Sequence, residues 1–127
     1  MEWRSGRLSW LSMNKHFSIR RHGKKVACAI VEYVEDKDDP KESGYFLYGV
    51  YVVPKMRERG MATRLLKKVT KWADRRKVEL WLTAEPQEEF IALKDLQRLY
   101  KAAGWKVAWK VHDQAIQMKR VPKRQGG

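Results

Sequence analysis

The sequence predicts a single α/β (α+β) domain, built as a mixed sheet with helices packed on it. Three observations carry that reading. Extended apolar runs alternate with two stretches whose apolar residues recur every three or four positions. Gly and Pro punctuate the junctions between them. A chain of 127 residues, 43% of them hydrophobic, has apolar matter for one core and too little length for two. The domain is expected to span residues 1–127, with 1–16 and 122–127 outside its regular elements.

Residues 17–21 and 25–33 read as two strands joined by His22-Gly23-Lys24, a turn whose glycine reaches positive φ without steric cost. Val26-Ala27-Cys28-Ala29-Ile30-Val31 is almost unbroken, the pattern of a strand covered on both faces. An acidic, solvated loop over residues 35–42 leads to a strand at 45–53, which stops at Pro54 because proline cannot donate to a ladder. Over residues 60–76 the period turns helical. Met61, Leu65, Leu66, Val69, Trp72 and Ala73 form one side, and Arg64, Lys67, Lys68, Lys71 and Arg75 the other. A strand at 78–83 ends before Pro86. A second helix covers 89–103, with Leu93, Leu96, Leu99, Tyr100 and Ala103 inward and Gly104 as its stop. Strands at 106–111 and 115–121 close the domain. Trp81, Trp105 and Trp109 read as packing residues, and Cys28 as an inert thiol within a strand.

Charge narrows the partners. Lys and Arg number 28 against 15 acids, a net charge of +13 that draws in nucleic acid, phosphorylated cofactors or acidic proteins without choosing among them. One cysteine excludes an internal disulfide, and with three histidines beside it no metal centre is expected. The longest apolar runs, residues 26–31 and 46–53, fall far short of the ~20 residues a bilayer-spanning helix needs. No basic segment followed by an apolar run opens the chain, so a cytoplasmic protein without membrane contact is expected.

The chemistry concentrates in Val52-Val53-Pro54-Lys55-Met56-Arg57-Glu58-Arg59-Gly60-Met61-Ala62. A strand ends, a basic loop turns, and a helix begins at small residues that let a ligand approach the main chain. The first-turn amides of that helix have no intrahelical acceptor, and the positive end of its dipole favours an anion such as a diphosphate. No Gly-Lys-Ser/Thr ends the loop and no Gly-x-Gly-x-x-Gly is present, so neither common nucleotide fingerprint applies.

At these residues the chain resembles the GNAT family of N-acetyltransferases. That family carries Arg/Gln-x-x-Gly-x-Gly/Ala after a strand ending in Val-x-Pro, and Arg57-Glu58-Arg59-Gly60-Met61-Ala62 after Val52-Val53-Pro54 matches it. Leu99-Tyr100-Lys101-Ala102-Ala103-Gly104-Trp105 is similar to the family's Leu-Tyr-x-x-x-Gly-Phe, with tryptophan in place of phenylalanine. The resemblance covers about residues 17–121. It implies a mostly antiparallel, acetyltransferase-like sheet with reduced N-terminal helices, and acetyl-CoA as the cofactor. It further implies that the main chain at Tyr51, Val52 and Val53 pairs with the pantetheine arm. The loop and helix start, with Arg57, Glu58, Arg59, Gly60, Met61, Ala62 and Thr63, would hold the diphosphate. N–H groups near Val52 would steady the oxyanion while the acceptor amine attacks directly, and Tyr100 would protonate the departing thiolate. A tyrosine at that place also suits a core aromatic.

Two departures matter. Residues 45–53 contain no acid, so the family's commonest general base is missing; Glu85 and Glu32 are the candidates, with a water chain or an already neutral amine as alternatives. Only residues 1–16 precede the first strand, which leaves the acceptor side open and favours a bulky or acidic acceptor, an amine on a protein or an aminoacylated RNA. The competing function is a basic module on the same fold that binds nucleic acid or an acidic protein without turnover.

Overall fold

His22 and Gly23 take φ of +52° and +77°, a turn whose handedness matches the twist of the strands it joins. The strands are β1 (Lys15–Arg21) and β2 (Lys24–Val34). The computed structural model describes residues 14–35, 38–39, 43–57, 60–86 and 92–123. The chain divides into two compact units, Met1–Leu65 and Leu66–Gly127.

In the first unit β2 also pairs antiparallel with β3 (Gly44–Val52). Directly opposed residues share a face, so Phe17 with Ala29 and Ile19 with Ala27 set large against small side chains. These four, with Val31 and Leu47, are buried. The other face of β2 is less covered than its unbroken apolar run predicts. Cys28, Ile30 and Glu32 are half-buried, so the strand alternates in burial even where it does not alternate in polarity.

Helix α1 (Met61–Arg76) follows a short 3₁₀ turn over Pro54–Met56. Met61, Leu65, Leu66, Val69 and Ala73 are its buried residues, while Trp72 is half-buried with the Arg76 guanidinium 5.5 Å from its ring centre. Fully burying a side chain such as Leu65 or Val69 stabilises by about 1.5–3 kcal/mol. The helix ends without a glycine. Lys77 takes φ +58°, its N–H reaches Asp74 O at 3.2 Å, and Val78 N–H reaches Ala73 O at 3.1 Å. That is a Schellman closure built on lysine, and it moves the next strand from the expected residue 78 to Leu80.

The second unit holds β4 (Leu80–Ala84), α2 (Leu93–Ala102), β5 (Lys106–His112) and β6 (Ala115–Arg120). β6 lies between β4 and β5 and pairs antiparallel with both. α2 begins within the predicted helix, residues 87–91 lying outside the described set, and ends in a second Schellman closure. Gly104 N–H bonds to Lys101 O and Trp105 N–H to Tyr100 O, both at 3.0 Å. Only Tyr100 of this helix is buried; Leu93, Leu96 and Leu99 are half-buried. Among the described residues, six strands, two α-helices and antiparallel pairings agree with the predicted class. No described helix is long and apolar enough to cross a membrane.

The packing role predicted for three tryptophans divides. Trp105 is buried at 1% exposure, Trp81 is half-buried, and Trp109 is 53% exposed. β5, at the edge of the strand order, pairs with β6 through register shifts at residues 107–109 and 110–112, and all its residues are exposed.

Candidate active site

Along β2, Cys28 faces Tyr51 and Ile30 faces Tyr48, so β3 carries one extra residue over that interval. Gly49, at φ +66°, lies in this bulge. An isolated glycine within an apolar strand is the signal that could have located it. The bulge breaks the regular ladder three residues before the strand ends.

Beyond it the main chain turns sharply. Val53 N–H donates to Val26 O at 2.9 Å and Met56 N–H to Val53 O at 2.9 Å. Arg57 folds back across the turn, its Nε donating to Val52 O at 2.9 Å and its guanidinium carbon 5.6 Å from the Tyr51 ring centre. Tyr51, Val52, Val53 and Arg57 are thus gathered at one corner of the first unit. Gly60, at φ +76°, caps α1, its carbonyl accepting from Arg64 N–H at 3.0 Å. The amides of Met61, Ala62 and Thr63 donate to no main-chain acceptor among the described residues. No acid occupies the first helical turn, and a Cβ placed on Gly60 would meet nothing within 4 Å. Amides without a main-chain acceptor among the described residues, the positive helix end and open space beside a glycine are what a diphosphate requires, so the described residues fit the cofactor's anionic portion. Glu58 and Arg59 lie outside the described residues.

Glu32 belongs to the same unit. It is half-buried and hydrogen-bonded to Tyr48, whose phenol is pushed up first by desolvation and then by the Glu32 charge. Sequence reasoning missed this pair because its partners come from different strands.

The second unit holds Tyr100 and Glu85. Tyr100 is 8% exposed and meets Trp105 edge-on at 5.7 Å between ring centres. Burial pushes its phenol above the ordinary value of 10.0, so the proton stays on the oxygen at neutral pH. Trp105 Nε1 is buried with no hydrogen-bond partner among the described residues, a cost that the phenylalanine of the family pattern would not incur. Glu85 Oε2 stands 3.3 Å from His112 Nε2, both side chains about half exposed.

The glycine of the Tyr100 motif has a clear physical reason. Gly104 adopts φ +104°, and a Cβ there would stand 2.9 Å from Arg120 Nε. Arg120 is 3% exposed and donates Nε to Ala103 O at 2.9 Å. Its two terminal nitrogens bond to Asp74 at 2.9 and 3.1 Å. Asp74 also accepts from Lys123 N–H at 2.9 Å. The Arg120 hydrogen bonds hold the Asp74 carboxyl below the usual carboxylate range, against the opposing effect of burial.

The strand that bulges, turns at a proline and feeds a glycine-capped helix is the segment on which the resemblance to N-acetyltransferases rests, and comparison with known proteins shows the family. The model of the acetyltransferase (GNAT) family matches residues 2–105, and the chain belongs to that family. Its fold is similar to the ribosomal-protein-S18-alanine N-acetyltransferase of Escherichia coli: 21% identity, 97% of this chain and 78% of that one, TM-score 0.67. ElaA of Escherichia coli shares 20% identity over 84% of this chain and 68% of its own, at TM-score 0.66. A GNAT acetyltransferase of Elizabethkingia anophelis with acetyl-CoA bound shares 12% identity over 93% and 82%, at TM-score 0.65. At these identities the likeness is one of fold. No curated protein matches the chain in sequence.

Proposed function

We propose that the chain, acting as one domain over residues 1–127, transfers an acetyl group from acetyl-CoA to a primary amine carried by a bulky or acidic acceptor, by direct attack in the cytoplasm. The observation that carries this is the start of α1, where the amides of Met61, Ala62 and Thr63 have no main-chain acceptor among the described residues and lie beside Gly60, at which a Cβ would meet nothing within 4 Å. The family match runs from 2 to 105 and so bridges both compact units, which supports treating them as one functional domain.

Acetyl-CoA, when bound, supplies an acyl group activated as a thioester. The chain's residues do the rest. Main-chain groups at Tyr51, Val52 and Val53 align the pantetheine arm, and the residues from Arg57 to Thr63, Glu58 and Arg59 among them, secure the diphosphate. N–H groups near Val52 meet the developing negative charge. The neutral Tyr100 hydroxyl holds the proton that the departing sulfur needs. Glu85, beside His112, or Glu32, beside Tyr48, takes the proton from the acceptor amine at a carboxylate oxygen.

Calorimetry with CoA and mass spectrometry of protein, peptide and aminoacylated-RNA acceptors test the reading. Gly60→Val should weaken CoA binding about tenfold or more, as when a charge-assisted hydrogen bond is removed. Tyr100→Phe should lower kcat by about a hundredfold with CoA affinity retained. Wild-type turnover in Tyr100→Phe removes the acid role. The absence of heat with CoA at low ionic strength removes the enzymatic reading in favour of a binding module.

A further inference from the structure

Three of the six cations of helix α1 stand in an ordered row. Lys67, Lys71 and Arg75 stand four residues apart, all exposed, with no carboxylate in ion-pair range among the described residues. Side chains at that spacing lie about 5–6 Å apart along one ridge, so like charges here repel rather than support the helix. An acid on the ridge would relieve that repulsion. The helix has one acid, Asp74, and it is consumed by Arg120 and by Lys123 N–H. Helix polarity explains only the end of the row, since Arg75 sits in the last turn where a cation is favoured and Lys67 does not. The cofactor corner does not account for it either, because the row begins beyond the first helical turn.

We propose that the Lys67, Lys71 and Arg75 ridge binds the phosphate backbone of nucleic acid, independently of base sequence. A row of exposed cations at one-turn spacing matches successive phosphates along a strand, and the net charge of +13 draws such a polymer in. The apolar side of the helix, with Leu66, Val69 and Ala73, is buried, so no free apolar face remains to enter a lipid bilayer. The ridge stands on the second unit and does not rest on the acetyl-transfer reading.

The test is fluorescence anisotropy with a labelled duplex, using the full chain with saturating CoA present so that the cofactor corner is filled. Poly-glutamate and phosphatidylserine vesicles serve as the competing anions. Wild type should bind the duplex with an affinity that falls steeply with salt. The triple variant Lys67→Gln, Lys71→Gln, Arg75→Gln should bind at least about tenfold more weakly at low salt. The slope of log K against log salt should flatten by about 3, near 0.9 for each phosphate no longer neutralised. Its Tm should equal or exceed wild type because repulsion is relieved. Unchanged duplex binding by the triple variant overturns the proposal, as does poly-glutamate or vesicle binding as tight as that of the duplex. A lower Tm overturns the premise that the ridge lacks an internal partner.

Discussion

Gly104 is held by two demands at once: a φ of +104°, and a guanidinium 2.9 Å from where a Cβ would stand. Arg120 cannot yield easily, since it is 3% exposed and bonded to both Ala103 O and Asp74. Gly104→Ala should therefore cost roughly 2 kcal/mol of unfolding free energy, the range for a strained backbone position. Urea denaturation measures it. Pairing the change with Arg120→Ala should give a total loss smaller than the sum by at least about 0.5 kcal/mol, because removing the side chain beyond Cβ removes the collision. Strict additivity would mean that crowding by Arg120 is not what constrains this position.

Among the elements, α1 is the one that breaks a local rule. Its closing residue, Lys77, adopts φ +58°, a region that costs an L-residue about 1–2 kcal/mol. Lys77→Gly keeps the closure bonds to Asp74 O and Ala73 O and removes that cost, so it should raise stability by about 1 kcal/mol. A rise in the urea midpoint with an unchanged m-value checks it. The same residue shows why β4 begins later than its apolar pattern suggests. Val78 is apolar and followed by a strand, but its N–H belongs to the helix cap, and no glycine marks the stop. Where glycine is present, as at residue 104, the helix end is legible. The bulge in β3 is legible in principle through Gly49, and the β1–β2 turn through Gly23.

Across the whole molecule, the sequence discloses what is local and conceals what is distant. Strand positions, both helices and the corner at 53–63 follow from periodicity and punctuation, which act within a few residues. The clasp of Arg120 on Asp74 joins positions 46 apart and leaves no local pattern. The Glu32–Tyr48 pair and the half-buried face at Cys28 and Ile30 are hidden for the same reason. The clasp sets a pH dependence. Asp74 titrates below its ordinary 3.8 when folded, so its contribution is complete above that value and disappears as pH falls through the folded value. Urea midpoints measured from about pH 6 downward should fall on the acid side. Asp74→Asn should start from a lower midpoint and lack that part of the decline.

β5 has its own consequence at this scale. Val107, Trp109 and Val111 face outward on a strand whose only described neighbour is β6, a combination that ordinarily invites fibril growth. Its two register shifts break the comb of amides and carbonyls that an incoming chain would have to zip against. Concentrated solutions should stay clear, sticky side chains notwithstanding, because irregularity here works as a guard against polymerisation.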